Sequence, residues 1–215
     1  MFHCIAEPPS FIHAMNTDRY LTLSGESFGE VREKASKFQA HAFPIADEDA
    51  FKERQAVIAR EHHTARHICH AWVLGNDGGQ YRSFDAGEPS GSAGKPILRQ
   101  LQGAGLTYCA IVVVRYFGGT LLGKAGLSHA FSDAAKAALA NNTIVERIVL
   151  TSLGVRCSYA EVEAVKRDVL QQEGEVVQAE YTESCVLQIA VPRSAVEGLK
   201  ELWERREIEV IQSDP

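Results

Sequence analysis

Residues Tyr108 to Ala140 read YCAIVVVRYFGGTLLGKAGLSHAFSDAAKAALA, and the rest of the chain can be interpreted from them. The apolar run from Cys109 to Val114 predicts a buried strand. A connector with four glycines follows, and a helix begins after it. In α/β proteins, a buried strand that leads through a flexible loop to a helix N-terminus often holds an anion.

The helix after Gly126 carries one uninterrupted apolar stripe. Its members follow the spacing i, i+3, i+4, i+7, i+8 and i+11, and they are Leu127, Ala130, Phe131, Ala134, Ala135 and Ala138. This spacing predicts a helix with one face buried against a sheet. Asn141-Asn142 suits the end of that helix.

The segments before this stretch alternate between strand and helix patterns. Two strands are predicted within residues 28–45 around a turn at Lys34–Ser36, with Phe38, Ala40 and Ala42 on one face. The following elements are a helix capped by Asp47 or Asp49 that runs to about His62, a hairpin of strands 67–74 and 80–84 around Asn76-Asp77-Gly78-Gly79, a glycine-rich loop 85–94, and a helix with Pro96 at its first position.

The last seventy residues show the order β-α-β-β-α-β, which is typical of the ferredoxin-like arrangement. Two capping boxes, Ser158 with Glu161 and Ser194 with Glu197, predict where its helices begin. The inner face of the first helix is predicted to consist of Val162, Val165, Val169 and Leu170.

The predicted class is α+β with two domains, and neither half repeats the other. The expected division is an irregular extension at 1–18, an N-terminal domain at 19–141 and a ferredoxin-like domain at 145–215. Residues 1–14 show no clean period, which suggests a functional start near Met15.

The net charge of the 215 residues is -6, and all of it lies after residue 140. No acidic residue occurs between Pro89 and Ser132, whereas Lys95, Arg99, Arg115 and Lys124 do. This window is either a cationic binding surface or a set of scattered solubilising charges.

The five cysteines are odd in number and contain no CxxC pair, which favours a reduced, intracellular setting. No segment approaches the roughly 20 apolar residues of a membrane span, and no secretory signal opens the chain. We therefore expect a cytoplasmic protein without a membrane partner.

The loop 85–95 is rich in glycine but matches neither common phosphate motif. Pro89 and Pro96 replace residues that a Walker loop requires, and GxGxxG does not occur. Two interpretations stay open: an anion nest of backbone amides with Lys95, or a structural loop whose glycines serve tight turns.

Arg115, at the end of the buried strand, needs a partner for its charge. It could bind a phosphate, or it could pair with Asp85 or Glu88 and hold the two glycine loops together. We favour the internal pair, because a buried charge usually has a protein partner. Tyr116 and Phe117 could stack on bases, but core packing is expected for at least one of them.

Residues 61–70 hold four of the eight histidines and one cysteine. They straddle a predicted helix-to-strand change, and only His67 and Cys69 would point the same way on a strand. We therefore assign no metal, no cofactor and no catalytic residue. No GxSxG or HExxH motif occurs.

Four blocks resemble the signature of the IMPACT family. They are SKFQAHAFP (Ser36–Pro44), ARHICHAW (Ala65–Trp72), DAGEPSGSAGKPIL (Asp85–Leu98) and VVRYFGGTLLGKAGLSHAF (Val113–Phe131). The resemblance implies an N-terminal domain similar to the second domain of a small-subunit ribosomal protein and to domain IV of elongation factor G. It also implies a C-terminal domain similar to domain V of that factor.

Eukaryotic relatives regulate translation by competing for an activator of a starvation-responsive kinase, with the help of an RWD domain for which this chain has no room. For bacterial relatives, the resemblance implies association with RNA or the ribosome. The chain departs from the family pattern at Ala86, Leu121 and His129, where the family usually has an aspartate, a lysine and an arginine.

We interpret the chain as a binding protein that acts on translation. The predicted anion or nucleic-acid face comprises Glu88, Gly94, Lys95, Arg115, Tyr116, Gly118, Gly119, Gly123, Lys124 and Gly126, with Asp85 as the acid that ties the loops. The acidic C-terminal domain is expected to contact protein. The alternatives are an enzyme for a phosphorylated or nucleotide substrate that uses Asp85, Glu88 and Arg115, and a structural adaptor whose loop residues all pack inward.

Overall fold

A computed structural model describes residues 18–211 of the chain. The predicted extension and the suggested start at Met15 fall on residues 1–17, outside the described residues. In chain order, the described elements are β1 (Arg19–Leu23), β2 (Ser27–Glu33), β3 (Ser36–Pro44), α1 (Glu48–Glu61), β4 (His67–Leu74), β5 (Gln80–Phe84), α2 (Gly94–Gly103), β6 (Cys109–Tyr116), α3 (Gly123–Ala140), β7 (Ile144–Ile148), β8 (Leu150–Cys157), α4 (Val162–Gln171), β9 (Glu175–Tyr181), β10 (Cys185–Pro192), α5 (Val196–Glu204) and β11 (Glu209–Ile211).

The first domain is built on a five-stranded antiparallel sheet in the order β2-β3-β6-β4-β5. β6 is the central strand, and every residue from Cys109 to Arg115 is buried. Its apolar run does not alternate because helices cover both faces of the sheet: α2 and α3 on one, α1 on the other. The buried strand predicted from the opening stretch is confirmed.

The face covered by α2 and α3 contains the larger core. All six residues of the predicted α3 stripe are buried, and so are Phe38, Ala40 and Ala42 of β3. The rings of Phe38 and Phe131 meet edge to face with centroids 5.1 Å apart, a favoured aromatic geometry. The alternation in β3 and the helical spacing in α3 therefore predicted the two sides of the same interface.

The opposite face is covered by α1. Asp47 is its N-cap, because its carboxylate accepts a hydrogen bond from the Ala50 N–H at 2.8 Å. Phe51 and Ile58 are the buried residues of this helix, and they belong to a core with Trp72 and Val112 of the sheet.

The second domain has the predicted βαββαβ order, with strands arranged β11-β8-β10-β9 and α4 and α5 packed in its core. Trp203 of α5 has no exposed surface, and its indole N–H donates to Asp168 of α4 at 2.9 Å. This hydrogen bond satisfies the one polar atom of the largest core side chain. The predicted α+β class with a ferredoxin-like second domain is confirmed.

A third, two-stranded sheet joins β1 to β7, so the first described strand pairs with the segment that precedes the second domain. The adjacent Asp18 side chain accepts the Ser194 N–H at 2.8 Å, and Arg19 forms an ion pair with Glu173. The Leu21 carbonyl accepts the Thr107 N–H at 3.0 Å, so the first described residues contact both domains. The domain bounds 19–141 and 145–215 stay a prediction.

Three local predictions were wrong. Pro96 is the third residue of α2, because the N–H of Gly94 already donates to Asp85 and the helix begins there. Ser194 forms no capping box, because its N–H donates to Asp18 and α5 begins two residues later. Leu170 is 74% exposed, because it follows Val169 by one residue and is therefore rotated about 100° from the buried stripe.

We expect the Phe131→Ala variant to lower the free energy of unfolding by about 3–5 kcal/mol, because it leaves a cavity beside Phe38. Urea denaturation measures this value. The matched control is Leu170→Ala, which should change stability by no more than about 0.5 kcal/mol. Equal losses in both variants would contradict the assigned core.

Candidate nucleic-acid interface

The two glycine-rich loops lie at the same end of the five-stranded sheet. β5 and β6 both run antiparallel to β4, so their C-terminal residues lie at the same end of the sheet. The loop 85–93 leads from β5 into α2, and the loop 117–122 leads from β6 into α3. Both helix N-termini therefore lie at this end, and we call it the loop end of the domain.

The loop 85–93 does hold an anion, but the anion is the carboxylate of Asp85. It accepts hydrogen bonds from the backbone N–H groups of Gly91 at 2.8 Å, Ala93 at 3.0 Å and Gly94 at 2.8 Å. The backbone donors that could form an anion nest are therefore occupied within the protein. A Cβ at Gly94 would also lie 2.6 Å from the Phe84 backbone, so this glycine serves close packing and not ligand binding.

Burial alone would raise the pKa of Asp85. The three backbone hydrogen bonds and nearby Lys95 outweigh that effect and hold the pKa below its ordinary value. Asp85 therefore stabilises its own loop and the start of α2. It does not tie the two loops together, so that part of our prediction was wrong.

Glu88 is the acid that pairs with Arg115, and it joins the loop 85–93 to the end of β6. Its carboxylate lies 2.6 Å from Nη1 of Arg115, and both side chains are buried. Nε2 of His67 lies 4.0 Å from the same carboxylate oxygen, and its Nδ1 is 2.8 Å from the Ala86 carbonyl. The favoured internal pair of Arg115 therefore exists, and it removes Glu88 and Arg115 from the exposed face on which we had placed them.

The predicted histidine-rich segment is divided among three sites. His62 contacts the Tyr116 hydroxyl at 2.8 Å, His70 contacts Gln55 at 3.1 Å, and the Cys69 thiol donates to the Asp85 carbonyl at 3.0 Å. Burial is the main cause that raises the pKa of the Cys69 thiol, which leaves it protonated and unreactive. Within residues 18–211, no group of three or more His, Cys, Asp or Glu could hold a metal ion.

The loop after β6 packs on the turn between β2 and β3. The Gly118 N–H donates to the Ser36 hydroxyl at 3.1 Å, and a Cβ at Gly118 would overlap the Ala35 backbone. Gly119 and Gly123 have positive φ values of 87° and 68°, which favour glycine. Gly126 lies inside α3. These four predicted face residues therefore shape the loop and offer no side chain to a ligand.

The side chains that stay available at the loop end are cationic and aromatic. Lys95 and Lys124 are exposed, and Phe117 is 52% exposed. An open cleft of about 490 Å³ is lined by Arg32, Ala35, Lys37, Tyr116 and Phe117. The Lys37 ammonium lies 4.9 Å from the Tyr116 ring centroid, and the Arg115 guanidinium lies 5.5 Å from that of Phe117.

The sequence alone does not single out Arg32 or Lys37. Strand register places Arg32 opposite Lys37 and Lys37 opposite Tyr116, so the three form one row across β2, β3 and β6. The β2–β3 hairpin was readable from the sequence, but the pairing of β3 with β6 was not. Arg32 also contacts Glu30 at 3.1 Å, and Lys37 lies over the Tyr116 ring.

Comparison with known proteins covers both domains. Residues 34–139 match the Impact N-terminal domain, and residues 155–202 match a domain of unknown function, DUF1949. The chain is 36% identical to IMPACT family member YigZ of Escherichia coli over 159 residues, which are 73% of this chain and 76% of YigZ. It is 27% identical to IMPACT family member YvyE of Bacillus subtilis over 182 residues, which are 85% of this chain and 84% of YvyE.

A solved structure is also similar to this chain. It is a crystal structure described as that of a hypothetical protein, and it aligns with a TM-score of 0.67 at 30% identity. The alignment covers 91% of this chain and 98% of that one.

We expect Glu88→Gln to lower the free energy of unfolding by about 3–5 kcal/mol, because it leaves the Arg115 charge buried without a counter-charge. The double variant Glu88→Gln, Arg115→Met should recover part of that loss, which a double-mutant cycle measures. Asp133→Asn, in an exposed ion pair with Lys136, is the control and should cost less than about 1 kcal/mol. Equal losses for Glu88→Gln and Asp133→Asn would contradict the buried tie.

We expect Asp85→Asn to reduce the acid sensitivity of folding. Because the folded-state pKa of Asp85 is lowered, its carboxylate stabilises the protein above the ordinary pKa of about 3.9 and loses this effect as the pH falls further. Between about pH 6 and pH 3, the parent should therefore lose more stability than the variant. Urea denaturation at each pH tests this. The control variant Asp133→Asn should lose as much stability over this pH range as the parent does.

Proposed function

The chain belongs to the IMPACT family, and on that premise we propose that it binds RNA or the ribosome through the loop end of its N-terminal domain and thereby regulates translation in the cytoplasm. The family resemblance supports this proposal, since it relates both domains to those of proteins that work on the ribosome. No helix within residues 18–211 is long and apolar enough to cross a membrane.

The observation that carries the proposal is the cleft at the loop end. Proteins that bind single-stranded nucleic acid combine cations for the phosphates with aromatic rings on which bases stack. Lys37 and Arg32 supply the cations, and Tyr116 and Phe117 supply the rings. Lys95 and Lys124, at the starts of α2 and α3, extend the positive charge at the same end.

Phe117 is the ring best placed for stacking. It is 52% exposed, and the Arg115 guanidinium lies against it. Tyr116 is half-buried, its hydroxyl is held by His62, and Lys37 lies over its ring. We therefore assign base stacking to Phe117 and a supporting role to Tyr116.

The charge of the second domain separates its role from that of the first. All of the net -6 lies after residue 140, so this domain would be repelled by a phosphate backbone. We propose that it contacts a protein component instead. This division keeps the nucleic-acid contact at one end of the molecule.

Two observations favour this proposal over the two rival interpretations. An enzyme that uses Asp85 and Glu88 would need both carboxylates free, but backbone amides hold one and Arg115 holds the other. A purely structural adaptor would need the loop residues packed inward, but Phe117 is 52% exposed and Leu121 is 84% exposed.

Binding to ribosomes and to unpaired RNA, measured across a salt series, tests the proposal. We expect Lys37→Ala, Lys124→Ala to weaken binding and to lower the magnitude of the slope of log affinity against log salt by about 1.4 for unpaired RNA, which is about 0.7 for each lost phosphate contact. Phe117→Ala should weaken binding by about 1–3 kcal/mol with little change in slope, because a lost base stack releases no counterions.

Lys136→Ala is the matched control, because it removes an exposed lysine from α3 that is paired with Asp133 and lies far along the helix from the loop end. It should bind like the parent. If Lys37→Ala, Lys124→Ala also binds like the parent at every salt concentration, the loop end is not the interface.

A further inference from the structure

Two cysteines face each other in the C-terminal sheet, away from the loop end. Cys157 is the last residue of β8, Cys185 is the first residue of β10, and the strand register places them directly opposite. Both are free thiols with buried side chains. Neither was part of any predicted site.

The geometry of an antiparallel pair suits a disulfide. Directly opposite residues have Cα atoms about 4.5–5.5 Å apart, inside the range of about 4.4–6.8 Å that disulfides require. Their Cβ atoms are about 4.5–5.5 Å apart, so closure needs an approach of up to about 1 Å. Both residues lie at strand ends, where such a shift disturbs few ladder hydrogen bonds.

The other buried cysteines lack this arrangement. Cys69 lies opposite Val113, and Cys109 lies opposite Val73. Burial raises the pKa of Cys109 to about 12, and no second thiol is its cross-strand neighbour. They are therefore natural controls for the pair in the second domain.

Two exposed tyrosine rings lie beside the cysteine pair. Tyr181 lies opposite Cys185 on the other side of β10, and its ring stacks on Tyr159, two residues after Cys157. The Tyr159 hydroxyl donates to the Thr182 carbonyl in the β9–β10 turn at 2.9 Å. Cys157 is 5% exposed and Cys185 is fully buried, so Cys157 is the more accessible of the two thiols.

We propose that Cys157 and Cys185 form a reversible cross-strand disulfide, with a small-molecule disulfide such as oxidised glutathione as the oxidant. The Cys157 thiolate attacks one sulfur of oxidised glutathione, so a mixed disulfide forms and one glutathione thiolate leaves. The Cys185 thiolate then attacks the Cys157 sulfur and displaces the second glutathione. The two protein thiols lose two electrons, glutathione disulfide gains them, and the two protons pass to the released glutathione thiolates.

Burial, followed by the neighbouring Cys185 and Glu161, raises the pKa of Cys157. The pair is therefore slow to react in the closed domain and reacts through local opening. Once formed, the bond joins β8 to β10 around the segment that contains α4 and β9, and it restricts the unfolded chain. The stability of the second domain thus depends on the redox potential of the surrounding thiol–disulfide couple.

The test uses the full chain with Cys4→Ser, because Cys4 lies outside the described residues and could cross-link independently. After equilibration with oxidised glutathione, we expect the loss of two titratable thiols, a Cys157–Cys185 peptide in the digest, and a higher urea midpoint that returns to the reduced value with dithiothreitol. Cys69→Ser and Cys109→Ser should behave in the same way as their parent.

Two single variants test the order of the steps. Cys185→Ser should accumulate a glutathione adduct at Cys157, because no second thiol can displace it, whereas Cys157→Ser should accumulate far less at Cys185. In neither variant should the urea midpoint rise as it does in the oxidised parent. A parent that retains all its thiols, or a digest that joins other cysteines, overturns the proposal.

Discussion

The buried ion pair between Arg115 and Glu88 is the contact on which the position of the loop 85–93 against the central strand depends. Transfer of two charges out of water costs several kcal/mol for each ion, and attraction offsets that cost only when the geometry is close. The 2.6 Å contact meets this condition and joins the end of the central strand to a loop 27 residues earlier. It therefore fixes the loop that starts α2 relative to β6, while Gly118 fixes the next loop against the β2–β3 turn.

These internal contacts distinguish the residues that hold the loop end in shape from the residues whose side chains are available to a partner. Asp85 supplies the anion that its own loop requires, and Glu88 supplies the counter-charge that Arg115 requires. The glycines permit close backbone approach. What remains for a partner is a set of long cationic side chains and the Phe117 ring, beside two acids that already have partners within the protein. Exposed lysines suit contact with a phosphate backbone, because that attraction is electrostatic and independent of base sequence.

The sequence was most informative where local periodicity and burial coincide. The α3 stripe and the β3 alternation predicted the core because each side chain's face follows from its spacing alone. The sequence could not decide between Asp85 and Glu88 as the partner of Arg115, since the two acids are three residues apart in one loop. It also missed Arg32 and Lys37, because their row across the sheet depends on strand order, which is set by contacts distant in sequence. Ser194 was misassigned for the same reason, since its partner is Asp18, 176 residues away.

The pairing of β1 with β7 has a consequence for synthesis of the chain. β1 is made early, but its partner residues run from Ile144 to Ile148, after the whole five-stranded sheet and α3. Domains generally fold as units while the chain leaves the ribosome. During that interval, β1 lacks its partner strand and contacts the rest of the first domain through Leu21, whose carbonyl accepts the Thr107 N–H at 3.0 Å. The β1–β7 sheet can therefore form only after residues 144–148 have left the exit tunnel, later than the five-stranded sheet requires.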